Sequence, residues 1–167
     1  MPANGERPAT AWSDGESLSD HQLAQLNVAR AVAPLDDPRL ADFMALLNEV
    51  NLLAERSPGF VWRLQGASGN ATDVNVGDDP RVIVNLTVWE SADDLFAFTY
   101  RSDHRAVVAR RFEWFERWEG PSVVLWWQPA GTIPAIEEAF RRLRLLADHG
   151  PTPEAFTFKQ QFAPPAG

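Results

Sequence analysis

Three histidines are present, His21, His104 and His149, and one of them lies where proton chemistry can be done. Phe96, Tyr100, His104, Val107 or Val108, Arg111 and Phe115 recur at intervals of three and four, so the spacing predicts a helix whose buried face carries the His104 imidazole one turn from Tyr100. An imidazole there can serve as a general acid or base near neutral pH. The same side chain can equally be bonded to a helix cap. Tyr100 is the one tyrosine of the chain, able to relay a proton or donate to a substrate oxygen, or to satisfy its hydroxyl on a backbone carbonyl.

Asn27, Asn85 and Thr87 stand among apolar residues of strand-like segments, where an unpartnered amide costs about 1–3 kcal/mol. They either contact a ligand, with Asn85 as a donor to developing negative charge, or bond across strands or a dimer interface. Arg63, between Trp62 and Leu64, suits a carboxylate held bidentately or a structural ion pair. Trp62, Trp89, Trp114, Trp118, Trp126 and Trp127 are candidate walls for a flat aromatic ligand, their alternative being core and dimer interface. Trp126 and Trp127 are adjacent in a strand, so only one can face a given cavity.

Composition narrows the chemistry. Without cysteine there is no disulfide, thiolate nucleophile or thiolate-held metal, and the three histidines are too scattered for a shared metal site. No metal is therefore expected. No phosphate-binding, nucleophile-elbow or zinc-protease motif occurs. A net charge of −8 opposes nucleic-acid binding, which relies on clustered cations. No segment reads as a membrane span or a signal peptide, so the expectation is a cytoplasmic protein. Cofactor-free chemistry is the first reading, with haem on an axial His104 as the alternative.

These residues must be positioned by a single domain, since 167 residues leave no room for two of ordinary size. Residues 1–20, rich in small, acidic and proline residues, are expected as a disordered lead-in, 21–150 as the folded domain, and 151–167 as a C-terminal arm. The pattern predicts a strand from Gln22, a helix capped by Asp36 or Asp37 before Pro38 and ending at Ser57, and a strand over 60–66. A long loop leads to a strand over 81–89 and to a helix capped by Ser91. That helix should break near residues 101–103 and resume to about Trp118. A strand over 122–129 and a helix capped near Gly131-Thr132 and reaching Ala147 follow. This order is that of an α+β, ferredoxin-like split βαβ with a four-stranded antiparallel sheet, helices on one face and a C-terminal addition. Its open face would be covered most simply by the sheet of a second copy, so a homodimer through sheet faces is expected.

The segments LNVAR (26–30), APLDDPR (33–39), SPGFVWRLQ (57–65), NATD (70–73), VNLTVWES (84–91), YRSDH (100–104), WFERW (114–118), VLWWQPAG (124–131) and GPTPEAFTF (150–158) together resemble the dimeric α/β-barrel superfamily. Within it they resemble the bacterial domain of unknown function 3291 family, with a more distant likeness to antibiotic-biosynthesis-type monooxygenases. The likeness implies two sheets facing each other across a dimer, with a ligand held between sheet and helices. The superfamily includes cofactor-independent monooxygenases, cyclases, isomerases and haem proteins, and some members carry a histidine in the helix corresponding to that of His104. The resulting expectation is a small-molecule enzyme performing proton chemistry on an oxygenated aromatic or polyketide-like substrate. A non-catalytic small-ligand or stress-type barrel is the alternative.

Overall fold

The computed structural model describes residues 19–166. All but Ser19 and Asp20 of the expected lead-in lie outside the described residues. Four strands, β1 (His21–Arg30), β2 (Phe60–Arg63), β3 (Val82–Trp89) and β4 (Val123–Pro129), form one antiparallel sheet in the order β2-β3-β1-β4. Helix α1 (Ala41–Arg56) joins β1 to β2, and α2 (Ala92–Arg101), α3 (His104–Ala109) and α4 (Arg111–Trp114) join β3 to β4. The last helix, α5 (Ile136–His149), follows β4. This is the split βαβ order with a C-terminal addition, in the α+β class. None of the described helices is long and apolar enough to cross a membrane.

Local chemistry accounts for the element boundaries. Asp37 accepts the backbone N–H of Arg39 ahead of a short 3-10 turn, Pro38–Leu40, that leads into α1. Ser91 accepts the N–H of Asp94 and so caps α2, with Asp93 and Asp94 in its first turn. Ser102 is extended, at φ −95° and ψ 180°, and this ends α2 before α3 begins at His104.

Three expectations are corrected. The chain leaves helix at Trp114 instead of near Trp118, because Phe115 is extended and pairs with Ala31 beyond the end of β1. β2 stops at Arg63 after an irregularity between Phe60 and Trp62. The last helix starts at Ile136 with no side-chain cap, since Thr132 instead donates to the Pro129 carbonyl in a turn.

Strand alternation sorts the core into two layers. Leu23 and Leu125 with Trp89 pack beneath Ala54, Leu95 and Phe98 of α1 and α2. Ala24, Leu26, Val28, Leu86 and Trp126 point the other way and pack against Ala139, Leu143 and Leu146 of α5. The paired helices thus lie on one face as expected. The opposite face is not left wholly open: the chain's own C-terminal helix covers the β1 and β4 side of it. The arm beyond α5 lies on this same chain, where Phe156 exchanges backbone hydrogen bonds with Leu125 and is fully buried.

Candidate functional site

A cavity of about 440 Å³ opens between the sheet and the helices α1, α3 and α4. Its floor is the β1–β3 pair, where the small Ala29 and the short amides of Asn27 and Asn85 leave space that larger apolar side chains would fill. Phe43, Leu47 and Val50, the α1 residues that repeat at three and four, form one wall. Val107, Val108 and Trp114 form another. The break after Trp114 brings Glu116, Arg117 and Trp118 to the rim.

Asn27 and Asn85 sit opposite each other in the strand register and both line the cavity. Among the described residues neither side chain bonds to another protein group, and Asn85 is exposed to the cavity. Their amides are therefore available from the floor.

His104 lines the same space from the first turn of α3. Its ring stacks on Phe98 at 4.7 Å and 8°. Burial pushes the imidazole down to about 4, so it is neutral at pH 7. Nδ1 is buried without a hydrogen-bond partner, while the backbone N–H of His104 donates to Ser102 Oγ at 3.1 Å.

The remaining candidates divide. Arg63 reaches the cavity edge, but its Nε pairs with Glu55 at 2.8 Å and Nη1 donates to the Gly69 carbonyl, so it ties α1 and the β2–β3 loop together. Trp114, 2% exposed, is a wall, with the Arg110 guanidinium 4.7 Å above its ring. Thr87 and Trp89 share the Asn85 face of β3 but lie under α2: Trp89 Nε1 donates to Thr87 Oγ1 at 3.0 Å, and Thr87 donates to Gln25 Oε1 at 2.9 Å. They satisfy one another inside the core. Trp62 and Trp126 belong to the opposite, α5-covered face. Tyr100 is 40% exposed and packs on Phe96 and Phe158, away from the cavity. The extended Ser102 interrupts the helical phase, so the four-residue spacing from Tyr100 to His104 does not place them on one face.

Sequence reasoning did not find Arg111 and Arg117, which also line the cavity. Arg111 sits in the expected stripe, but Arg117 reaches the rim only because the helix ends early. Among the described residues no group of three His, Asp or Glu gathers as a metal site.

Residues 22–167 match the family described as Domain of unknown function (DUF3291). No curated protein matches the chain. Among solved structures, a protein of unknown function from Nitrosomonas europaea is 18% identical, with a TM-score of 0.43 over 70% of this chain and 97% of that one. SnoaB, a cofactor-independent oxygenase from Streptomyces nogalater, is 15% identical, with a TM-score of 0.45 over 67% and 95%. A putative antibiotic biosynthesis monooxygenase from Chloroflexus aurantiacus is 12% identical, with a TM-score of 0.42 over 69% and 98%.

Proposed function

This chain belongs to the DUF3291 family, whose description assigns no reaction, and we propose that its cavity binds an oxygenated aromatic or polyketide-like molecule and promotes proton chemistry on it. The observation that carries this reading is a neutral His104 beside two unpartnered amides on one cavity. A buried orphan N–H is rarer than an orphan lone pair, so Nδ1, which has no partner, is best left unprotonated. The ring proton then sits on Nε2, which donates to a ligand oxygen. Asn27 and Asn85 supply further donors from the floor.

Donors aimed at one oxygen favour its anionic form, and they act more strongly where water is excluded. An enol or phenol bound there ionises more readily and gives its proton to solvent, which reaches the floor because Asn85 is exposed. The enolate that remains is the starting point of oxygenation by dioxygen without a cofactor. It is equally the starting point of cyclisation or isomerisation within the same molecule.

A hydroxylated naphthoquinone, whose absorption reports its ionisation, tests this. Its acid constant is expected to rise at least about tenfold on binding and to return towards the free value in Asn27→Ala, Asn85→Ala and His104→Ala. Binding with an unchanged acid constant would instead favour the non-catalytic ligand-binding barrel. That second reading has its own support, since an imidazole pushed down to about 4 is a weak proton acceptor. Hemin addition checks the remaining alternative: a Soret shift that His104→Ala abolishes would replace the proton reading with haem ligation.

A further inference from the structure

Charged residues around the cavity fall into two groups. Arg63 is neutralised by Glu55. Glu116 pairs with Arg30 and Arg81, and Asp79 closes that network from the other side. His104 is neutral. Arg111 and Arg117 remain, and among the described residues neither has a carboxylate within salt-bridge distance although both line the cavity. Both are exposed at the cavity's edge, beside walls that are apolar and a floor whose amides, those of Asn27 and Asn85, carry no charge to neutralise them.

Arg111 is also held in place. Its guanidinium lies 4.4 Å from the centre of the Phe112 ring, and its Nη1 donates to the Val108 carbonyl at 3.0 Å; its other N–H groups have no partner among the described residues. Phe112, 57% exposed, lines the cavity too, so the pair sits at its edge. A guanidinium fixed on an aromatic face loses less freedom on binding an anion than a mobile one.

We infer that the cavity takes an apolar, aromatic molecule bearing a permanent acid group, carboxylate or sulfonate, with the acid at Arg111 and Arg117 and the apolar body against α1 and α3. This rests on the cavity being the ligand site proposed above and adds the ligand's charge and orientation. The acid would lie at the rim, and the oxygen that meets Asn27 and Asn85 at the floor.

Two probes of nearly equal shape test it: anilinonaphthalene sulfonate, which is anionic, and phenylnaphthylamine, which is neutral. Fluorescence titration of the full chain is expected to show the anion binding at least about tenfold more tightly at low salt, with the advantage shrinking as salt rises. In Arg111→Gln/Arg117→Gln the anion should lose that advantage while the neutral probe keeps its affinity. Val107→Trp, which fills the cavity, should weaken both. If the neutral probe binds, is displaced by Val107→Trp and equals the anion in affinity, the charge inference is overturned and the cavity reading stands. If neither probe binds, or Val107→Trp leaves both unaffected, the cavity reading falls and takes the inference with it.

Discussion

Desolvation at His104 ties a cavity residue to the stability of the protein. The unfolded chain takes a proton on this imidazole near its ordinary value of 6.5, whereas the folded chain refuses it until about pH 4. The unfolded state therefore binds more protons across that window, so this group takes nothing from stability above pH 6.5 and an increasing share as the pH drops towards 4. The loss attributable to this one group is about 3 kcal/mol. Denaturant titrations of the native protein and His104→Gln at several pH values check it: the variant should lack this part of the acid slope, and parallel slopes would contradict the burial of the ring. His104, Asn27 and Asn85 were legible in the sequence because polar residues in apolar patterns stand out. Thr87 stood out for the same reason, yet its hydroxyl bonds to Gln25 and Trp89 inside the core. A pattern reports that a polar group is enclosed, not what encloses it.

The elements depend on a few backbone positions. Gly59, at φ 74°, makes the turn between α1 and β2, and a Cβ there would collide with the Asp94 carboxylate at the start of α2. Gly59→Ala thus combines an unfavourable left-handed conformation with a collision against the capped end of a neighbouring helix. It is expected to destabilise by about 1–3 kcal/mol, visible as a lower Tm. An unchanged Tm would mean that the turn and the α2 terminus move apart freely. The Ser91 cap and the Ser102 break were readable because capping residues act locally. The end of α4 was not, since nothing between Trp114 and Trp118 stops a helix by itself. Phe115 is drawn into extended pairing with Ala31, a residue 84 positions away in the chain, and that exchange moves Arg117 to the cavity.

At the scale of the whole molecule the consequential element is α5. It places Leu143, 8% exposed, against Trp126 and Leu26 on the sheet face opposite α1 and α2. Leu143→Asp would bury an unpaired charge there and should cost about 3–5 kcal/mol, read as a large drop in the denaturation midpoint. A small effect would show that α5 leaves the sheet at little cost. The same helix bears on assembly. The homodimer expected from the sequence remains a proposal, and its contact is narrowed to the β2 and β3 side of that face, where Trp62 and Val82 stay only partly buried. Light scattering should then return twice the chain mass of 18.6 kDa, and the mass of one chain would overturn the pairing.

The α+β class, the order of strands and helices and the caps at Asp37 and Ser91 follow from the chain's own pattern, because period-two and period-3.6 patterns and turn residues are local properties. The same patterns single out His104 and the two asparagines as polar groups among apolar residues. Tertiary packing turns Tyr100 away from the cavity, lets Trp89 and Thr87 satisfy each other under α2, and sets Trp126 beneath α5. Which face of the sheet a strand residue meets depends on where distant helices settle. That is decided by packing between segments far apart in the chain, and no window of neighbouring residues contains it.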